Sequence, residues 1–265
     1  MKIALCQMNS GDDFAANFAT AERLVRRSAA QGARLIGLPE YVPFYGAQAD
    51  WKRIARQTTA DVVERFSALA KELGVYLALG SVLEDIPGSA KVANTSIVVD
   101  PAGKEIARYR KVHLFDVTLP DRVYRESDTL QAGDQIVTCK VDEWTVGLSI
   151  CFDVRFPEHY AALVAKGANL ILVPSAFTAV TGKVHWEPLL RARAIETQCY
   201  LAAAAQTGQC MPGKTCHGHS MIVDPWGAIV GELTEGEGIV MADIDLSNYR
   251  HVRASMPLVR PGASS

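Results

Sequence analysis

Three residues carry reactive groups at or near the ends of apolar, strand-length runs. Cys151 follows WTVGLSI and precedes FDVRFPEHY, so its thiol stands where a central strand opens into a loop and then a helix. That is the placement of an exposed nucleophile. Glu40 ends the run ARLIGLP in the segment GLPEY. A carboxylate beside an apolar run is desolvated, which suits a general base. Lys111 lies in YRKVHLFD (109–116). A lysine in a buried site sets a fixed positive charge where an oxyanion develops, and near a cysteine it favours the thiolate. Each residue alone has a plainer reading: a strand-ending surface carboxylate, a solvated Arg-Tyr-Arg-Lys edge, or a buried structural thiol. Pro157 lies six residues on, so the helix N-terminus is not invoked to activate Cys151.

Such residues need a frame that brings distant segments together. Strand-length apolar runs alternate with helical patterns, which predicts an α/β protein. KIALCQM (2–8), ARLIGLP (33–39) and VYLALGSV (75–82) read as strands, with helices between them. One helix places Phe14, Phe18, Ala21 and Val25 on a face; a longer one, through 47–73, places Val62, Phe66, Leu69 and Leu73 together. TSIVVDPAGKEIARY (95–109) reads as a hairpin around a type I turn at Asp100-Pro101-Ala102-Gly103. The order then recurs. WTVGLSI (144–150) is a strand, and PEHYAALVAKGA (157–168) is a helix with Pro157 in its first turn. GANLILVPS (167–175) parallels GARLIGLPE (32–40), CYLAAAA (199–205) parallels VYLALGS (75–81), and HSMIVDPWGAIVGEL (219–233) repeats the Asp-Pro-x-Gly hairpin. Two β-α-β-α-β-β halves fit the chain. Each alone would leave a sheet face bare, so the halves are expected to stack as a four-layer α-β-β-α sandwich. No Pro/Gly/Ser-rich linker divides them, so residues 1–258 are expected to form one domain, with 259–265 as a tail. The stretch 112–135 joins the halves with little obvious secondary structure, and connections that long are often functional.

Composition removes several functional classes. With 27 basic and 29 acidic residues among 265 and no Lys/Arg stripe, nothing suggests a nucleic acid or an anionic membrane as partner. MKIALCQM is too short for a signal-peptide core, and YLAAAA (200–205) is far below the roughly 20 residues of a membrane helix. Six cysteines without a C-x-x-C pair point to a cytoplasmic protein with reduced thiols. His217 and His219 in CHGHS, beside Cys216, lack a third spaced ligand, so no metal is expected there. Glycine-rich phosphate loops are absent. In LLRARAIETQ (189–198), Arg191, Arg193 and Glu196 suggest an internal ion-pair network.

GLPEY, YRKVHLFD and SICFDVRFPE, in that order, resemble the glutamate, lysine and cysteine motifs of the nitrilase superfamily of carbon–nitrogen hydrolases. The resemblance runs from residue 1 to about 258. Residues 174–206 and GHSMIVDPWG (218–227) are similar to its amidase branch, nearest the deaminated-glutathione amidases and then the omega-amidases. It independently implies the four-layer sandwich. It also implies that Glu40 is the general base, that Cys151 forms a thioester with the substrate acyl group, and that Lys111 and the Phe152 backbone N–H stabilise the oxyanion. Glu126 in VYRESDTL fits a second family glutamate, positioning Lys111 or the substrate amide. No metal or organic cofactor is implied, and a homodimer is. The implied substrate is a small 2-oxoglutaramyl amide with cysteinylglycine as leaving group. Arg155 is a candidate for pairing with a substrate carboxylate, or else with Glu158 on the same helix entry. Phe177 and Thr178 are expected on the pocket wall. TGQCMPGKTCH (207–217) departs most from the relatives. Two further readings stand beside this one: an omega-amidase releasing ammonia from 2-oxoglutaramate, against which QTG (206–208) counts, and a catalytically silent scaffold.

Overall fold

The computed structural model describes residues 1–119, 123–211 and 213–258. The expected tail, 259–265, lies outside the described residues. The first half runs β1 (Lys2–Gln7), α1 (Phe14–Ala30), β2 (Leu35–Gly37), α2 (Trp51–Leu73), β3 (Tyr76–Ala78), β4 (Val82–Asp85), β5 (Val92–Val99) and β6 (Glu105–Arg110). A short exposed pair, β7 (Asp116–Thr118) and β8 (Val123–Arg125), bridges to the second half. There β9 (Thr138–Val141), β10 (Trp144–Leu148), α3 (Pro157–Ala165), β11 (Leu170–Leu172), α4 (Ala179–Thr197) and β12 (Tyr200–Ala203) follow. The hairpin β13 (Thr207–Met211) and β14 (Lys214–His217) comes next, then β15 (Ser220–Val223), β16 (Ile229–Leu233), β17 (Gly238–Asp243) and α5 (Leu246–Ser255).

The two sheets repeat one plan. In the first, the order is β17-β1-β2-β3-β5-β4, with β6 also on β5; in the second it is β16-β15-β12-β11-β10-β9. β1, β2 and β3 are parallel, as are β10, β11 and β12. The Asp-Pro-x-Gly turns are copies of one another. Asp100 Oδ1 accepts from the Ala102 and Lys104 amides, and Asp224 Oδ1 from those of Trp226 and Ala228, all at 2.9 Å. Strands β7, β8, β9, β13, β14 and β17 lie outside the runs read as strands from the sequence, and β17 bears most on the architecture. β17 leaves the second half and pairs antiparallel with β1, Lys2 opposite Asp243, as β9 pairs antiparallel with β10. The halves are therefore interlocked through a shared sheet.

Period-2 alternation decides which face meets which layer. On β1, Ile3 and Leu5 point into a core shared with Val146, Leu148, Leu170 and Leu172 of the second sheet. Ala4 and Cys6 point the other way, against Phe18, Leu24, Val62 and Phe66 of α1 and α2. On the far side Trp186, Leu190 and Leu163 of α3 and α4 cover the second sheet. The result is the four-layer α-β-β-α sandwich. Each fully buried Leu, Ile or Phe contributes about 1.5–3 kcal/mol, so the central layers hold most of the apolar stabilisation. No helix among the described residues is long and apolar enough to cross a membrane.

The run 75–82, read from sequence as one strand, is broken at Gly80 into β3 and β4. Gly80 has φ +63°, and a Cβ there would lie 1.8 Å from the Pro39 carbonyl oxygen. That close approach stitches the segment around Glu40 to its neighbour. Ser81 N–H donates to Pro39 O at 3.2 Å, Tyr41 N–H to Ser81 Oγ at 3.0 Å, and Val42 N–H to Ser81 O at 3.2 Å. Gly80→Ala is expected to cost well over the roughly 1–2 kcal/mol of a left-handed non-glycine residue, because backbone must move as well. Gly88 has φ +77° but open space around it, so Gly88→Ala should show the backbone cost alone. At roughly 2–4 °C per kcal/mol for a chain of this size, the melting temperature of Gly80→Ala should fall several degrees below that of Gly88→Ala. Equal melting temperatures would show that the contact with Pro39 constrains nothing.

Candidate active site

Lys111 follows the last residue of β6, where side chains sort by face. Arg108 and Arg110 turn outward to Glu84 and Glu105, at 2.7–3.1 Å, and make the solvated edge that the sequence suggested. Lys111 turns inward and is 1% exposed. Its Nζ donates to Glu40 Oε1 at 3.0 Å and to Glu126 Oε2 at 2.9 Å. Glu40, also 1% exposed, accepts from Asn94 Nδ2 on Oε1 and from the Ala176 amide on Oε2, both at 2.8 Å. Glu126 accepts from Tyr41 Oη at 3.1 Å and from the Phe115 amide at 2.8 Å. Burial alone would strip the proton from Lys111. The Glu126 and Glu40 charges overrule it and hold the ammonium well above the ordinary lysine range. The cluster is one cation between two carboxylates, with both acids further satisfied by fixed donors.

Cys151 sits beyond the end of β10, buried, with φ +47°. A non-glycine residue in that region stores strain, and such residues cluster at functional sites. Its amide donates to Pro174 O at 2.9 Å. The loop after it is organised by Asp153, which is fully buried. Asp153 Oδ2 accepts from the Ile150 amide at 2.8 Å and from Tyr109 Oη at 2.6 Å. Its Oδ1 accepts from the His113 amide at 3.0 Å and meets His113 Nδ1 at 2.7 Å. One carboxylate thus ties the segment carrying Lys111 to the segment carrying Cys151. Burial works against its charge, yet the bonds from His113, Tyr109 and Ile150 hold it below the ordinary carboxylate range. From α4, buried Arg193 adds an Nε bond to Val154 O at 2.8 Å and pairs with Glu196 at 2.6 Å.

The thiol itself departs from the expectation that the lysine would make it a thiolate. Burial and the Glu40 charge push Cys151 well above the ordinary thiol range; Lys111 and the Ala176 amide pull the other way and do not prevail. At neutral pH the resting group is the protonated thiol.

Glu40, Cys151, Phe152, Arg155, Phe177 and Thr178 line an inner chamber. Tyr41, Tyr45, Phe115, Glu126 and Lys214 also belong to it and continue into a wider outer cleft. Arg155 makes no ion pair with Glu158 among the described residues. Its terminal nitrogens lie 3.3 and 3.4 Å from His185 Nδ1, its guanidinium 5.2 Å from the Phe177 ring centre, and its buried Nε has no hydrogen-bond partner. Burial lowers its pKa from the usual guanidinium value. His217 and His219 stack at 4.3 Å. A set that the sequence reading missed, His113, Asp153 and His159, converges closely enough to hold a metal ion. Both Asp153 oxygens already carry two partners each, so an ion there would have to displace protein donors. Also missed were Asn94, Asp153 and Lys214. The available signal was an uncharged polar residue in the apolar run VANTSIVV and an acid two residues past the cysteine.

Comparison with known proteins places this arrangement. Residues 2–254 match the carbon–nitrogen hydrolase family. The deaminated glutathione amidase of Bos taurus is 40% identical over 97% of this chain and 80% of its own length. That of Synechocystis is 42% identical over 96% of this chain and 95% of its own. Among crystal structures, the Caenorhabditis elegans NitFhit protein superposes with a TM-score of 0.92 at 40% identity, covering 97% of this chain and 63% of that one. Saccharomyces cerevisiae Nit3, described as a member of branch 10 of the nitrilase superfamily, gives 0.90 at 32% identity, covering 98% and 96%. The chain therefore belongs to the carbon–nitrogen hydrolase family of the nitrilase superfamily, as an amide-hydrolysing member.

Proposed function

We propose that the chain is a cysteine-dependent amidase acting on 2-oxoglutaramyl amides, with deaminated glutathione as substrate and 2-oxoglutarate and cysteinylglycine as products. The observation that carries the chemistry is the buried ammonium of Lys111, bonded to both Glu40 and Glu126 on the wall that holds the Cys151 thiol. Glu40 takes the proton from Cys151 as sulfur attacks the amide carbonyl. The resulting oxyanion is met by Lys111 Nζ and the Phe152 amide. Collapse of the tetrahedral intermediate breaks the C–N bond, and the proton held by Glu40 leaves with the amine. Glu40 then activates a water that hydrolyses the thioester, returning the thiol and releasing the acid. Glu126 is a positioning residue that fixes Lys111. No step needs a metal or an organic cofactor. Arg155 in the inner chamber receives the 2-oxo acid carboxylate, beside Phe177 and Thr178, since it has no acidic partner among the described residues. The outer cleft favours a leaving group larger than ammonia, which sets this reading ahead of an omega-amidase. A reduced cytoplasmic setting accords with six free thiols, and a homodimer accompanies the family resemblance.

Cys151→Ala should abolish turnover while the protein remains folded, whereas Cys139→Ala should cost stability at most. Lys111→Met should acylate slowly: losing one oxyanion donor costs about 10²–10³ in rate, and here a full charge goes with it. Rapid-quench measurement of the thioester decides. Normal acylation in Lys111→Met, or turnover by Cys151→Ala above a few per cent, would overturn the mechanism.

The carboxylate anchor has its own test. A charge-assisted hydrogen bond contributes about 1.5–3 kcal/mol. Arg155→Ala should therefore lower kcat/KM for 2-oxoglutaramyl substrates roughly 10–150-fold, and for a short aliphatic amide far less. Equal losses on both substrates would remove the anchor.

A further inference from the structure

Among the described residues, one cation of the outer cleft has no carboxylate within ion-pair distance. Lys214 opens β14 and lines both chambers. Its Nζ stands 4.5 Å from the ring centre of Tyr45 and 5.5 Å from that of Tyr124. Among the described residues no carboxylate comes within ion-pair distance of it. The acids that share its walls are committed elsewhere: Glu40 to Lys111, Asn94 and the Ala176 amide, Glu126 to Lys111, Tyr41 and the Phe115 amide. The cleft's other cation, Arg125, is exposed and lies directly opposite Asp116 in the β7–β8 register, where its charge acts on that carboxylate. Aromatic faces attract an ammonium without neutralising it, so among the described residues Lys214 is the cleft cation without a carboxylate partner.

Its position is fixed by the hairpin that carries it. The His217 amide donates to Phe177 O at 2.9 Å, Cys216 bridges to Thr178, and the Cys210 and Cys216 sulfurs pack 2.9 Å apart across the hairpin. Arg155 lines only the inner chamber, whereas Lys214 stands where that chamber opens into the cleft. A substrate with its acyl carboxylate inward would direct its leaving group toward Lys214.

We propose that Lys214 recognises a carboxylate on the leaving-group side of the scissile bond, so that the site selects amides anionic at both ends. This rests on the substrate orientation proposed above and adds a second specificity-determining residue. Amides whose leaving group ends in a free carboxylate are then preferred to the same amides with that end blocked.

The test compares 2-oxoglutaramyl-cysteinylglycine with its C-terminal carboxamide. Wild type should prefer the free acid about tenfold or more, the discrimination expected of one charge-assisted hydrogen bond. Lys214→Met should erase that preference by a loss concentrated on the free acid, and Lys214→Arg should restore most of it. Thermal melts of both variants identify any general loss of structure, which would depress the two substrates alike and would not be rescued by arginine. A wild type indifferent to the terminal carboxylate overturns the inference alone, as does Lys214→Met losing both substrates equally. If wild type cleaves short aliphatic amides but neither 2-oxoglutaramyl compound, the substrate reading fails and the inference falls with it.

Discussion

A primary ammonium that is 1% exposed has to be answered by charge, because leaving it unpaired in a dry interior costs several kcal/mol. Lys111 is answered twice, by Glu40 and by Glu126. Two carboxylates around one cation leave an excess negative charge, which the fold spreads over Asn94, Tyr41 and the amides of Ala176 and Phe115. Loss of the Ala176 amide would orphan Glu40 Oε2, while Glu40 Oε1 and both Glu126 oxygens share Lys111 with a second fixed donor. The ammonium is therefore held in one place by groups that come from β5, from the segment after β2, from the residues that flank the β7–β8 pair and from the segment after β11. Much of the architecture around the site can be understood as the means of bringing those segments to one point.

Duplication accounts for how they meet. In the parallel part of each sheet the strands end on the same side, β2 running out into Glu40 and β11 into Ser175, the equivalent position in the repeat. Stacked face to face, the two sets of strand ends adjoin. The bond from the Ala176 amide to Glu40 Oε2 crosses from one half to the other, as does that from Gln206 Nε2 to Glu40 O at 2.8 Å. The base belongs to one half and the thiol to the other. Separated halves would each keep a reactive side chain and lose its partner, and the exchange of β17 into the first sheet opposes that separation.

The repeat and the layer order were legible because they rest on hydrophobic period, which local sequence carries directly. The reactive residues were singled out by the family resemblance of GLPEY, YRKVHLFD and SICFDVRFPE, because position alone left each of them a plainer reading. What escaped were features that depend on tertiary placement. β17 looks like any short amphipathic strand, and nothing local says that it will join the other sheet. The chain between Val75 and Val82 reads as one strand until Gly80 meets Pro39. Asp153 was passed over because an acid two residues past a cysteine looks like loop polarity; only the fold shows it taking two bonds on each oxygen. Lys214 lay in TGQCMPGKTCH, where the family resemblance offered no guide.

The state of the thiol shows why the lysine alone is insufficient chemistry. A cation beside a cysteine favours the thiolate, but this cation is shared with two carboxylates, and the Glu40 charge acts on sulfur in the opposite sense. Burial then leaves Cys151 protonated. A preformed thiolate between Glu40 and Glu126 would be a third anion around one ammonium. Proton transfer to Glu40 removes that conflict as it occurs, since the base becomes neutral when sulfur becomes charged. The negative charge then passes through sulfur to the carbonyl oxygen, where in the proposed mechanism Lys111 and the Phe152 amide receive it. On this arrangement the ammonium is held back for the transition state by the same carboxylates that keep the resting thiol neutral, which is where its charge contributes most to rate.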